Sequence, residues 1–335
     1  MKRLSAWLAV VLASLIAPAG CGPMTFVVGM APGDQQLQTT VVESQGDFGG
    51  NRVAIVDVTG LIINANKPGL LQQGENPVSL LHEKLELART DDRVKAVILR
   101  LNTPGGTVTA SDAMYREVLR FRERTGKPVV VLMMDVAASG GYYLACAGDH
   151  VVAYPTTITG SIGVIVQTLS VKDALNRIGV RTDAITSGPN KDAGSPFSTL
   201  TPEHRAVFEQ LVSDFYGRFT DVVRSSRPNI PSERFAELTD GRVLSGDQAL
   251  DAGLVDQVGD IQDAFAEARR RAGISRADLV IYHRPLQYIG SPYATAAAPT
   301  TGTAQTQINL FQLNMAEAYG ESAAGFWYLW QPVSP

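Results

Sequence analysis

A chain of 335 residues with 45% hydrophobic and 19% charged residues can bury a core along most of its length, as one large domain or two ordinary ones. Its formal net charge of −4, with lysines and arginines scattered rather than clustered, argues against nucleic acid as a partner. The amino terminus reads as an export signal. Lys2 and Arg3 precede an apolar run over 6–17, too short for a comfortable span of roughly 20 apolar residues. Pro18-Ala19-Gly20-Cys21 is similar to a lipobox, departing from it at Pro18, where an aliphatic residue is usual. Residues 1–21 are therefore expected to be a lipoprotein-type signal, with Cys21 lipidated and the body held on the extracytoplasmic side of the cell membrane. A plainly cleaved signal and an uncleaved anchor are the alternatives. The second cysteine, Cys146, lies in the apolar stretch 142–147 and is expected to be a core residue, leaving no disulfide.

Residues 22–50 are rich in Gly, Gln, Thr and Ser and lack sustained periodicity, which predicts a flexible tether. A folded body follows over 51–284. Arg52–Val58 is a β-branched strand; Asn76 and Pro77 open a helix to about Ala88; Val94–Leu101 is a second strand. After the turn 102–106, Thr109 and Asp112 suggest a capping box for a helix that buries Met114, Val118 and Phe121 and stops at Gly126. Pro128–Met134 and His150–Tyr154 are further strands. This alternation predicts an α/β fold of right-handed βαβ units on a parallel sheet. A helix from Pro202 to about Arg224 follows, then short ones at Ser245–Leu250, with Gln248 completing a capping box, and Ile261–Arg271. From 285 the composition turns to Ala, Thr, Gln and Pro, a low-complexity tail. Its terminal aromatic cluster, Phe326, Trp327, Tyr328 and Trp330, would suit the body, a neighbour or a membrane surface equally well.

Two Gly-rich turns follow strands. Ala137-Ala138-Ser139-Gly140-Gly141 places a hydroxyl among small residues, where a substrate backbone can approach and the Gly140 amide can face a developing oxyanion. Asn102-Thr-Pro-Gly105-Gly106 lies one βα unit earlier and can supply a second amide at the same sheet edge. Each is equally readable as an ordinary packing turn. A serine nucleophile needs a base. The four histidines, His82, His150, His204 and His283, all lie outside Gly-rich turns after strands and read as surface residues. Weight shifts to lysine, and Lys191 stands in a Gly/Pro loop expected to follow a strand at Thr182–Ile185. Taken alone, it reads equally as a solvated loop lysine.

Five stretches in order change that balance: Asn-Thr-Pro-Gly-Gly (102–106), Ala-Ala-Ser-Gly-Gly-Tyr-Tyr (137–143), Thr-Gly-Ser-Ile-Gly-Val (159–164), Ser-Gly-Pro-Asn-Lys-Asp (187–192) and Asp-Gly-Arg-Val (240–243). With them the chain resembles the signal peptide peptidase A family, in its short single-repeat form, over roughly residues 50–275. The resemblance implies a Clp-protease/crotonase-like spiral of βαβ units. It implies Ser139 as nucleophile, Lys191 as general base, Ser161 as the hydroxyl that orients the lysine, and Gly106 and Gly140 as oxyanion amides. It also implies a homo-oligomer with sites built between neighbouring subunits, acting on spent signal peptides or other unfolded peptides. No cofactor or metal is expected, because neither His-x-x-x-His nor Cys-x-x-Cys spacing occurs. The rival readings are a crotonase-like acyl-CoA enzyme and an inactive peptidase-like scaffold.

Overall fold

The computed structural model describes residues 36–46, 50–66, 74–285, 287, 289–294 and 325–330. The export signal with Cys21, the first part of the tether and most of the tail lie outside the described residues. In chain order, β1 (Gln38–Glu43) and β2 (Arg52–Thr59) precede α1 (Pro77–Thr90). Next come β3 (Val94–Thr103), the short β4 (Gly105–Thr107), α2 (Val108–Thr125), β5 (Val129–Ala138) and the six-residue α3 (Gly140–Ala145). The middle of the chain adds β6 (His150–Ala153), β7 (Ile158–Gly160), β8 (Ile165–Val166), α4 (Lys172–Arg177), α5 (Pro202–Ser226) and α6 (Ser232–Leu238). The last part holds β9 (Val243–Ser245), α7 (Gly246–Asp251), β10 (Gln257–Val258), α8 (Ile261–Arg271), β11 (Asp278–His283) and β12 (Phe326–Leu329).

The main sheet runs in the order β1-β11-β2-β3-β5-β6-β10 and is parallel throughout except for the edge strand β1. Its central strands are apolar runs because both faces are covered. Ala54, Val56 and Val58 of β2 look towards a core shared with Leu81 and Leu85 of α1 and Met114 and Val118 of α2. Val53 and Ile55 look the other way, onto Ile261, Ala264, Phe265 and Ala268 of α8. Burying a side chain such as Phe265 completely stabilises by roughly 2–3 kcal/mol. Beyond the body of the sheet, β7 pairs in parallel with the end of β5, and β9 pairs antiparallel with β7. Parallel strands with helices on both faces are the α/β arrangement that the alternation of elements predicts.

Several caps form as the sequence suggests. Asn76 accepts from the amides of Val78 and Ser79, with Pro77 in the first turn, and Ser245 and Gln248 complete a capping box. Gly126 closes α2 in the left-handed region at φ 64°. The start of α2 differs from expectation. Thr107, held extended by β4, is the N-cap and accepts from Ala110, so Thr109 is already helical. Asp112 is thereby free to accept from the Tyr143 hydroxyl at 2.8 Å and from Arg218 at 2.6 Å.

Three other expectations are corrected. The stretch read as a tether contains β1, which pairs antiparallel with β11 from Gln38–His283 to Glu43–Leu279. Its sequence, Gln-Thr-Thr-Val-Val-Glu, hides the strand because an edge strand exposes most of its side chains. The expected strand at 182–185 is absent: these residues are irregular, and Ile185 is fully exposed. A strand needs a partner for its backbone groups, and the single chain offers none there. Parts of the region read as a low-complexity tail are ordered. Arg100, buried and paired with Asp57 at 2.5 Å, also donates to the carbonyls of Pro292 and Ala294. Further on, β12 lies between β4 and β8 in a separate three-stranded sheet.

Candidate active site

The site forms where β5 gives way to α3. Ser139 occupies the turn at φ 53° and ψ −115°, a backbone conformation that costs a non-glycine residue on the order of 1 kcal/mol or more. Its backbone is fixed on both sides: the amide donates to the Gly160 carbonyl at 2.8 Å, and the carbonyl accepts from Tyr143 at 2.9 Å. The register of β5 on β7 sets Ala138 opposite Gly160. Ser139 and Ser161 are the next residues on each strand, so the two hydroxyl-bearing residues leave the sheet side by side. Ser161 also has positive φ, 50°, and its amide donates to the Arg242 carbonyl at 2.7 Å. That bond gives the Asp-Gly-Arg-Val stretch a role, with Arg242 itself held by Asp240 and Glu237. Both serines are buried.

The other wall comes from β4. Ile62 donates to the Gly105 carbonyl and accepts from the Thr107 amide, both at 2.9 Å, which turns the Gly106 amide away from Ile62 and towards α3. A Cβ on Gly140 would stand 3.1 Å from the Gly106 nitrogen and 2.4 Å from Ser111 Oγ. The structure thus brings Ser139, Gly140, Gly106 and Ser161 together, with two amides bordering one small space beside the serine, an arrangement that can stabilise an oxyanion. A Cβ on Gly106 would lie 1.8 Å from the backbone oxygen of Ile62, which cannot move without breaking the clamp. Gly106→Ala is expected to cost at least about 2 kcal/mol of stability and to displace the amide. A denaturant midpoint equal to wild type would refute that.

Lys191 is not part of this cluster within the single chain. It is exposed in the turns that follow 187, its amide donates to the Gly188 carbonyl at 3.2 Å, and among the described contacts its ammonium meets neither Ser139 nor Ser161. Its loop is held from below by His204, whose Nε2 donates to the Pro189 carbonyl at 2.7 Å and lies 3.7 Å from Asp192. His204 is therefore buried, contrary to the expectation of a surface histidine, as is His283, whose ring bonds Thr40 at 2.8 Å and the Arg284 carbonyl at 2.8 Å. Both sit at joins between elements where a ring with two polar atoms is useful. Cys146 is buried, as expected of a core residue, and desolvation pushes its thiol pKa up, away from the reactive thiolate. Among the described residues, no group of three or more His, Cys, Asp or Glu side chains is placed to hold a metal ion.

Sequence reasoning missed Ile62, Ser111 and Tyr328. Nothing in the sequence marks Ile62, which acts through its backbone. Ser111 Oγ donates to the Thr107 carbonyl at 3.0 Å and braces β4 from the first turn of α2. Tyr328 was visible only as part of an unexplained aromatic cluster, and it covers the site. Surface hollows exist elsewhere, one beside Arg122, Lys127 and Arg271 and another beside Tyr115, Asp214 and Arg218. Neither adjoins Ser139, because the groove there is filled by β12.

Comparison with known proteins identifies the fold and the family. The model of peptidase family S49 matches residues 122–275, and that of Clp protease matches 57–176, which between them take in the strands from β3 to β10, the Ser139 elbow and the Lys191 loop. The slr0021 protein of Synechocystis sp. is 33% identical over 267 residues, covering 80% of this chain and 89% of that one. Protease 4 of Salmonella typhi is 34% identical over 241 residues, 72% of this chain, and the chloroplastic serine protease SPPA of Arabidopsis thaliana 35% identical over 241 residues, 71% of this chain. This chain spans only 38% and 35% of the length of those two proteins. The fold is thus Clp-protease-like, and with a relative matched along nearly its whole length the chain belongs to peptidase family S49.

Proposed function

We propose that this protein is a serine endopeptidase in which Ser139 is the nucleophile, Lys191 the general base, Ser161 the hydroxyl that orients the lysine, and the amides of Gly106 and Gly140 the oxyanion hole. The observation that carries the reading is the elbow itself: a serine held at positive φ at the end of a strand, between two glycine amides. Strained backbone of this kind persists only where surrounding structure enforces it, and it concentrates at functional sites. In the reaction, the neutral lysine amine takes the proton of the Ser139 hydroxyl as its oxygen attacks the peptide carbonyl. The oxyanion rests on the two amides, the lysine returns the proton to the leaving nitrogen, and water hydrolyses the acyl-enzyme. No cofactor enters this scheme.

The catalytic body is residues 51–284, extended by β1 and β12, and the active form is a homo-oligomer in which a neighbour completes each site. Support comes from the Lys191 segment. Leu169, Ile178, Ile185 and Phe197 are exposed along it, more apolar surface than a solvated loop needs. A second copy packed there would bury the segment and bring its lysine to another copy's Ser139. Extended or unfolded peptides, including spent signal peptides, are the substrates such a narrow site admits.

Membrane attachment rests on Cys21. We propose a lipid at Cys21 as the attachment, on the extracytoplasmic face, from the basic, apolar and small-residue run that ends at this cysteine; among the described residues no helix is long and apolar enough to cross a membrane. Mass spectrometry of the native protein should find an amino-terminal, diacylated Cys21. An unmodified Cys21, or cleavage elsewhere, would remove the anchor. Labelling of Ser139 by a fluorophosphonate tests the peptidase reading against both an acyl-CoA enzyme and an inactive scaffold, neither of which presents an activated serine.

A further inference from the structure

The strand that carries the nucleophile changes partners just before it. In β5, Val130 to Met133 pair with His150 to Ala153 of β6, whereas Val136 to Ala138 pair with Ile158 to Gly160 of β7. On its other edge the register slips at the same point. There β3 advances two residues, from Leu101 to Thr103, while β5 advances four, from Met133 to Ala137. Two residues of β5 are therefore extra, forming a bulge. A straight ladder would set Asp135 opposite Thr103 and shift the elbow by about 7 Å along the sheet. Because the insertion is even, the alternation of faces survives it: Met133 and Ala137 both belong to the core beneath α1 and α2. The bulge thus relocates Ser139 without exposing a core side chain.

A bulge takes backbone groups out of the ladder, and buried ones need other partners. Three side chains supply them here. The Thr157 hydroxyl donates to the Met134 carbonyl at 2.7 Å, with the Met133 carbonyl at 3.1 Å, and accepts from the Tyr154 amide at 3.0 Å. The Asn102 side chain accepts from the Val136 amide at 3.2 Å and donates to the Asp135 carboxylate at 3.2 Å. Nearest the nucleophile, the Thr159 hydroxyl donates to the Ala137 carbonyl at 2.7 Å, and both threonines are fully buried. Thr159 and its neighbour therefore hold the end of β5 twice. The side chain takes residue 137, and the Gly160 carbonyl takes the Ser139 amide at 2.8 Å.

Building on the peptidase reading, we propose that Thr159 is a positioning residue for catalysis, with Asn102 and Thr157 fixing the bulge behind it. The positive φ of Ser139 persists only while the strand end before it is held, and the Thr159 hydroxyl is a side-chain contact that holds it. Removing that hydroxyl takes a donor from a buried carbonyl, and the strand end shifts to compensate. A displacement of about 1 Å at Ser139 Oγ carries it out of line with the space between the Gly106 and Gly140 amides, enough to slow the attack by up to about 10²-fold. The loss falls on the chemical step, because the bulge lies behind the elbow and the β4 wall of the site is left as it was.

The test is made on the full chain, well below its thermal midpoint. Thr159→Val keeps the branched shape and removes the donor. It should lower kcat for a peptide, and the rate constant for fluorophosphonate labelling of Ser139, by at least about 10-fold each, with KM within about 2-fold of wild type. Thr159→Ser keeps the donor and should recover most of both losses. A folded Thr159→Val with wild-type kcat overturns the proposal. So does a Thr159→Ser as slow as the valine variant, because packing of the methyl group would then be what matters. Should valine prevent folding, Asn102→Ala, at a partly exposed position, gives the reading: kcat at least about 5-fold lower at unchanged KM supports the proposal, and unchanged kcat overturns it. Hydrogen exchange needs no catalysis. The amides of 136–139 should exchange at least about 10-fold faster in Thr159→Val than in wild type or Thr159→Ser, and equal rates overturn the brace. A wild type that neither hydrolyses peptides nor takes the label, with exchange behaving as expected, would instead defeat the peptidase reading on which the catalytic role rests.

Discussion

Ser139→Ala should lower kcat/KM for peptide hydrolysis by at least about 10³-fold while leaving the thermal midpoint nearly unchanged. The size of the loss follows from what the hydroxyl does: without it no acyl-enzyme forms, and only the two glycine amides remain to stabilise a direct attack by water. The fold should survive because among the described residues the Ser139 hydroxyl caps no helix amide, and its backbone amide and carbonyl hold the turn. Ser139→Gly separates the two effects. Glycine accepts φ near 53° without penalty, so this variant relieves local strain and should be at least as stable as the alanine variant, yet equally inactive. Substantial activity in either variant, after contaminating peptidases are excluded, would remove Ser139 from the mechanism. A drop in stability for the glycine variant would show that the turn is held by something other than enforced strain.

The strand–helix order and the caps at Asn76, Gly126 and Ser245 were legible because local chemistry determines them. A continuous apolar run must be buried on both faces, and Asn before Pro satisfies the first amides of a helix. The candidate nucleophile did not stand out from its own turn, which reads equally as a packing turn; it was singled out by the five stretches in order that carry the family resemblance. What escaped the sequence depends on distant partners. The strand β1 exists because β11 offers an open edge, and its own alternation is too weak to announce it. Ile62 contributes a carbonyl and an amide, which any residue has. His204 and His283 were misread because their burial comes from carbonyls and hydroxyls elsewhere in the chain, Pro189 for one and Thr40 for the other. The failed strand at 182–185 is informative in the opposite sense. Ile185 stands exposed there, and among the described residues no strand pairs with that stretch, so β-prone sequence alone did not make a strand.

Lys191→Arg should be as inactive as Lys191→Ala, each reduced by at least about 10³-fold, because a guanidinium stays protonated in any surroundings and cannot accept the serine proton. A lysine amine in water holds its proton to about pH 10, so a lysine base works near neutrality only when apolar surroundings disfavour its charge. In the single chain the Lys191 loop is exposed, and among the described contacts no hydrogen bond joins Lys191 to Ser139. Both deficits are removed together if a neighbouring subunit receives the loop, which yields a test that a merely structural lysine would not pass. Ser139→Ala and Lys191→Ala are each inactive alone. Mixed by dissociation and reassembly, they should form oligomers in which about a quarter of the sites pair an intact serine with a neighbour's intact lysine, and activity should return to about that fraction of wild type. A mixture that assembles to the wild-type size but stays inactive would place serine and base in one chain, and near-normal turnover by Lys191→Arg would reduce Lys191 to a substrate contact. His204 would then be the first alternative base to test, because it is buried beneath the same loop with Nδ1 free of any hydrogen-bond partner.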